Sequence, residues 1–291
     1  MEVDQQIEFR QERDLGTIIS DTFRFFRLEW KPFFNFIFKI AIVPILVAVS
    51  AMLYFTFTSS KLFANSDFEN PEAFEPTGFL GNSTDILSAT LVMSICYLIA
   101  YVFINIGSLY YIKSYIENEG VVNFEEIKEK VQTQFWSFVG LGILICILVF
   151  VSAFLCFFPA IYTSVVMTFA SCLFVFEQKT VMDAIGDSFM FIKGHWWTSF
   201  GCILVVSILV AILGAVFSAP ALIYELTLGM SSLFEADLPS DRVGLLTDPI
   251  HMFLSAISTI GQFLLSSITL VATVFLYFDI RQQKTSSISG E

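Results

Sequence analysis

The chain has few of the residues that catalysis and metal binding draw on. Of its 291 residues 14% are charged, two are histidines and five are cysteines. The cysteines form no CxxC pair, and the sequence contains no HExxH, GxSxG or glycine-rich phosphate-binding motif. Fifteen lysines and arginines against 27 acidic residues are too few for a nucleic-acid surface. We therefore expect a protein that is not an enzyme, with no cofactor, metal site or nucleic-acid partner.

Long apolar runs are what the chain has in abundance. Hydrophobic residues make up 56% of it, against about 45–50% in soluble proteins. A run of about 20 such residues crosses a bilayer as a helix. The sequence predicts an all-α polytopic bundle of six transmembrane helices. The predicted spans are 33–57, 86–112, 135–157, 160–176, 198–224 and 250–278.

Lysine and arginine predict the orientation of these spans. If the N-terminus is cytoplasmic, the outer segments hold only Lys61 and Arg242 of the fifteen basic residues. Because basic residues concentrate on the cytoplasmic side of membrane proteins, we expect both termini there. The two long outer loops, at 58–85 and 225–249, are acidic.

Two amphipathic segments, 166 residues apart, carry one pattern. The matching positions are Leu15, Ile18, Ile19, Thr22, Phe23, Phe26 and Trp30, and Val181, Ala184, Ile185, Ser188, Phe189, Ile192 and Trp196. Asp21 and Asp187 match at the same offset. Such segments form helices in the plane of the interface, here on the cytoplasmic side. We predict an internal repeat and one transmembrane domain over 1–284. It would consist of three parallel hairpins at 9–116, 123–176 and 180–280, and 285–291 would be a disordered tail.

Six residues of these segments are candidates for docking a partner. They are the aromatic and aliphatic residues Phe23, Phe26, Trp30, Phe189, Ile192 and Trp196. One interpretation is a docking surface for a cytoplasmic partner. The other is a lipid anchor that fixes the angle at which the next span enters the membrane. The two interpretations are compatible.

Polar residues at helical spacing mark the second and sixth spans. The candidate seam consists of Tyr101, Asn105, Gln262 and Ser266. Polar groups in hydrocarbon need partners, so these residues are expected to face the bundle interior. These residues either form hydrogen bonds between helices or line a hydrophilic path or ligand pocket.

The two ends of the chain resemble one known family. Phe9-Arg10-Gln11-Glu12-Arg13-Asp14-Leu15-Gly16-Thr17-Ile18-Ile19-Ser20-Asp21-Thr22-Phe23 and Tyr277-Phe278-Asp279-Ile280-Arg281 resemble motifs of the bacterial membrane-domain family named after glycerophosphoryl diester phosphodiesterase. The name comes from members fused to a catalytic barrel, for which this chain has no room. The resemblance implies six helices in the bacterial inner membrane, no assigned chemistry and membership of a larger assembly.

Three functional hypotheses follow. The leading one is a non-enzymatic subunit or scaffold of a membrane complex, in contact with lipids and other integral membrane proteins. The second is a transporter or lipid-binding protein that uses the polar seam between the second and sixth spans. The third, an enzyme within the membrane, requires Asp187, His195 and Asp279 to meet in one pocket.

Overall fold

The computed structural model describes residues 7–65, 76–155, 157–234 and 247–289, and these residues form helices without any strand. The helices are α1 (Leu15–Asn65), α2 (Pro76–Glu117), α3 (Phe124–Leu155), α4 (Phe157–Phe176), α5 (Val181–Phe191), α6 (Trp196–Phe234) and α7 (Pro249–Ser289). All except α5 are long and apolar enough to cross a membrane. The predicted all-α bundle with six spans is confirmed.

The spans differ in how much of their surface the protein itself covers. In the most apolar stretch of α7, 78% of the residues are buried, against 11% in α3 and in α6. The last span is therefore the most enclosed of the six. The uncovered apolar side chains of α3 and α6 suit contact with lipid or with other membrane helices.

The two amphipathic segments differ in how they join their spans. The first is continuous with its span in the 51-residue helix α1, whereas the second forms the separate 11-residue helix α5. The break after α5 contains Gly194 at φ 88°, a conformation that suits only glycine. Residue 28, which is 166 positions earlier, is a leucine. Leucine favours helix, so α1 continues through this position.

Both segments begin at a capped position. Asp14 accepts a hydrogen bond from the backbone N–H of Thr17, and the Thr17 hydroxyl donates to the same carboxylate. At the matching positions, Thr180 accepts from the N–H of Asp183, and its hydroxyl donates to the Asp183 carboxylate at 2.6 Å. Side chains that accept from these N–H groups stabilise a helix start. The caps explain why both helices begin where they do.

The helices extend beyond the predicted spans. α1, α2 and α6 each include part of the predicted acidic loops. Residues 66–75 and 235–246 of these loops lie outside the described residues. At the C-terminus α7 continues to Ser289, so 285–289 are helical where the sequence predicted a disordered tail. No proline or glycine interrupts these residues, and helix propagation adds one hydrogen bond per residue. Residues 290 and 291 are not described.

The contacts divide the chain into two compact units. The first takes its residues from 1–41, 102–210 and 266–291, and the second from 42–101 and 211–265. The chain passes from one unit to the other within α1, α2, α6 and α7. The polar clusters and the cavity described below all lie in the first unit.

Candidate functional site

A first polar cluster forms around Arg13, directly before α1. Arg13 Nε lies 2.8 Å from Asp21 Oδ2, and the Arg13 side chain is fully buried. The backbone N–H of Arg13 donates to Asp279 Oδ1 at 2.8 Å. Asp279 is itself 2% exposed and accepts from Gln283 Nε2 at 3.0 Å. The cluster thus joins the start of α1 to the end of α7.

The guanidinium group of Arg13 also organises the segment that precedes it. Its Nη1 donates to the carbonyl of Phe9 at 2.9 Å, and its Nη2 donates to the carbonyl of Glu8. The group lies over the Phe275 ring, 4.9 Å from its centroid. The Phe9 ring stacks on the same ring at 4.3 Å. A planar cation with five donors suits this combination of carboxylate, carbonyls and ring face, which a lysine could not reproduce.

A second polar cluster forms around Lys179, directly before α5. Lys179 Nζ lies 2.6 Å from Glu177 Oε2 and 2.8 Å from Asp187 Oδ2. Glu177 Oε1 accepts from the Tyr277 hydroxyl at 2.8 Å. Arg281 Nη1 in turn donates to that hydroxyl oxygen at 3.0 Å. This cluster therefore joins the start of α5 to the end of α7.

The charges of this second cluster support one another. Burial alone would raise the pKa of Glu177, but hydrogen bonds from Lys179 and Tyr277 outweigh it and hold that pKa below its usual value. Burial opposes the charge of Lys179 as well, yet its hydrogen bonds to Asp187 and Glu177 raise the pKa of the ammonium group. Both groups are therefore ionised near neutral pH.

The end of α7 serves both clusters from two faces. Phe275, Asp279 and Gln283 contact the Arg13 cluster and follow one another at four-residue spacing. Tyr277 and Arg281, also four residues apart, contact the Lys179 cluster. Residues at this spacing share one face of a helix. One helix end thus holds the starts of both amphipathic helices.

Sequence reasoning did not assign roles to Arg13, Lys179, Glu177 and Tyr277. A usable signal is the offset of 166 residues that relates the two amphipathic segments. It relates Arg13 to Lys179 as well as Asp21 to Asp187, so both segments have an ion pair eight residues apart. The contacts of Tyr277 and Asp279 have no such local signal, because their partners lie 100 and 266 residues away.

The structure separates the six candidate docking residues into an exposed and a covered group. Phe23, Trp30 and Phe189 are 41%, 52% and 38% exposed. Phe26 is half-buried against Phe33 and Phe34.

Ile192 and Trp196 complete the covered group. Ile192 is fully buried. Trp196 is half-buried and stacks on Phe200 at 5.3 Å. Its indole N–H finds no acceptor among the described residues. The exposed group thus comprises three aromatic residues, and the other three candidates are wholly or partly covered by the protein.

The structure gives the surroundings of the candidate polar seam but does not distinguish between its two possible roles. Gln262 Nε2 donates to Ser218 Oγ and Ser258 Oγ, both at 3.3 Å, so its amide connects α6 with α7. Tyr101 is 50% exposed, and Asn105 and Ser266 are half-buried. The second and sixth spans meet in the second unit through the rings of Tyr97 and Phe263, whose centroids are 5.1 Å apart. The seam remains a prediction.

The three residues of the enzyme hypothesis have different surroundings. Asp279 belongs to the Arg13 cluster and Asp187 to the Lys179 cluster. His195 lies half-buried in the turn between α5 and α6. Within the described part of the chain, no group of three or more His, Cys, Asp or Glu residues could hold a metal ion.

No family model, curated protein or solved structure matches this chain. The family resemblance therefore remains a prediction from the sequence. Five polar residues of its motifs, Arg13, Asp21, Tyr277, Asp279 and Arg281, lie in the two clusters. In this chain, these residues serve to hold the amphipathic helices to the last span.

Proposed function

We propose that this integral membrane protein is a non-enzymatic subunit or scaffold of a multi-protein complex in the bacterial inner membrane, with an internal repeat and cytoplasmic termini. The observation that carries the proposal is the matched exposure of Phe23 and Phe189. The two residues lie 166 positions apart and are 41% and 38% exposed. Each belongs to a helix whose start is held by an ion pair.

Such an arrangement favours protein contacts for a physical reason. Exposed aromatic side chains supply much of the binding energy of protein interfaces. Binding costs less when the interface is already ordered, because less conformational entropy is lost. The ion pairs of Arg13 and Lys179 order the two helices before any partner arrives. A helix at the membrane surface can reach other integral membrane proteins, which are the partners proposed here.

A photo-crosslinking experiment tests the proposal. A benzophenone side chain is introduced in place of Phe23 or Phe189, and cells are irradiated before membrane extraction. The matched control replaces Phe38, which is 36% exposed and lies further along α1 in the first predicted span. We expect Phe23 and Phe189 to give a discrete adduct with another protein, identified by mass spectrometry, and Phe38 to give lipid adducts.

The opposite result has a clear meaning. If all three positions give lipid adducts alone, the amphipathic helices are membrane anchors and the proposed docking role fails. Adducts with the same protein at Phe38 and at Phe23 would also contradict the proposal, because the contact would then not be specific to the amphipathic helices.

A further inference from the structure

A cavity of about 830 Å³ lies between α1, α2, the connection from α2 to α3, and the first turns of α3. Its volume falls within the range of about 300–1,000 Å³ typical of small-ligand pockets. The lining combines two cations with aromatic rings. Among the lining residues are Phe36, Lys39, Phe103, Phe124, Glu125 and Lys128.

Lys39 is the more unusual of the two cations. It lies six residues into the first predicted span, about 9 Å along the helix. Its Nζ is 5.7 Å from the centroid of the Phe124 ring, and the Phe36 ring lies 5.6 Å from that same ring. A lysine within an apolar run is costly unless an anion or water meets its charge. The cavity brings an aromatic surface to this lysine, and a ligand there could supply the anion.

The cations of the cavity are not neutralised by the described part of the chain. None of its carboxylates comes within 4.0 Å of Lys39 Nζ or Lys128 Nζ in an ion pair. The single carboxylate of the lining, Glu125, leaves the cavity with a formal charge of +1. The charge of the lining therefore complements an anion.

We propose that this cavity binds the headgroup of an anionic phospholipid. Lys39 and Lys128 would contact the phosphate, and Phe103 and Phe124 would contact the glycerol and the first acyl carbons. Phe36 is buried behind them, against the Phe124 ring. A free phosphate ion has the charge but nothing to cover the rings, whereas a zwitterionic lipid has the acyl chains without the net charge. The proposal goes beyond the proposed scaffold function and does not depend on it.

Lipid titration of the purified full-length protein, followed by native mass spectrometry, tests this site. The lipids are phosphatidylglycerol and phosphatidylcholine, and inorganic phosphate is the competitor. The cavity variant is Lys39→Gln/Lys128→Gln. The control variant is Lys31→Gln/Lys193→Gln, which removes the same charge from two exposed lysines outside the cavity. A third variant, Lys39→Arg/Lys128→Arg, keeps the charge of the cavity.

We expect wild type, control and arginine variants to bind phosphatidylglycerol equally, and the cavity variant about 30-fold more weakly. This factor corresponds to about 1 kcal/mol for each lysine near a lipid headgroup. Phosphatidylcholine should bind wild type no better than it binds the cavity variant. Equal affinity of the cavity and control variants for phosphatidylglycerol would overturn the proposal. So would displacement of the lipid by inorganic phosphate, since the site would then take a free anion. Neither result bears on the crosslinks at Phe23 and Phe189.

Discussion

Replacement of Arg13 by glutamine should destabilise the protein far more than the same change at Lys179. The Arg13 side chain is fully buried, and its partner Asp21 is 13% exposed. Removal of one partner of a buried pair costs about 3–5 kcal/mol, because the remaining charge is left uncompensated. Lys179 is 29% exposed, and its partners Glu177 and Asp187 are 21% and 35% exposed, so water can replace the lost partner of each carboxylate. Pairs of this kind contribute about 0–1 kcal/mol.

The expected difference between the two variants is therefore about 2–5 kcal/mol in the free energy of unfolding. It can be measured in mild detergent as the SDS dependence of tryptophan fluorescence, since the chain has four tryptophans. Arg13→Lys should fall between wild type and Arg13→Gln, because it keeps the charge but loses the carbonyl contacts to Glu8 and Phe9.

A double-mutant cycle of Arg13→Gln with Asp21→Asn then isolates the ion pair from the other contacts of Arg13. A coupling energy of at least about 1 kcal/mol is expected for a pair of this burial. Equal destabilisation by Arg13→Gln and Lys179→Gln would refute the reasoning. A coupling energy near zero between Arg13 and Asp21 would refute it as well, because burial would then not govern the contribution of the two pairs.

Two further predictions concern helix packing and pH. A Cβ atom at Gly261 would lie 2.7 Å and 2.8 Å from two ring atoms of Phe217, so Gly261→Ala should destabilise by about 1–3 kcal/mol in the same assay. Gly140→Ala, where a Cβ meets open space, is the control and should be neutral or stabilising by up to about 1 kcal/mol. An equal loss of stability in the two variants would contradict the packing argument. Because the pKa of Glu177 is lowered in the folded state, its contribution to stability is present above about pH 4.3 and is lost as the pH falls through the folded pKa. Glu177→Gln should therefore reduce the loss of stability between pH 5 and acid pH, and an unchanged acid slope would show that this carboxylate is not linked to folding.

The number and class of the helices could be predicted because membrane insertion depends on local composition. An apolar run of about 20 residues specifies a span whatever its neighbours are, and all six runs became helices of suitable length. The helix ends were harder to predict. The first amphipathic segment and its span form the single helix α1, whereas the second forms the separate helix α5 before its span in α6. This difference depends on Leu28 and Gly194, which occupy matching positions. Gly194 could have been recognised as a helix end, since glycine is common there.

The polar clusters were only partly predictable for a different reason. Arg13 and Asp21, like Lys179 and Asp187, are close in sequence, so the shared offset could have indicated both ion pairs. The contact of Arg13 with Asp279 depends on how α7 packs, and no local pattern reports that. The exposure of individual side chains could not be predicted either. Phe189 lies on α5 and Ile192 directly follows that helix, yet the first is exposed and the second is fully buried.

The ends of α2 and α7 each contact another of the three predicted hairpins. Lys113, near the end of α2, donates from Nζ to the carbonyl of Val175 at 2.8 Å, near the end of α4. Asp279, 166 residues after Lys113, accepts from the backbone N–H of Arg13 just before α1 begins. The first hairpin thus holds the end of the central one, and the last holds the start of the first. α1 cannot leave its place without breaking this buried contact to α7, and α5 is held to the same helix end through Glu177 and Lys179. Because one helix end holds both amphipathic helices, Phe23 and Phe189 are kept in one arrangement, as the proposed docking surface requires.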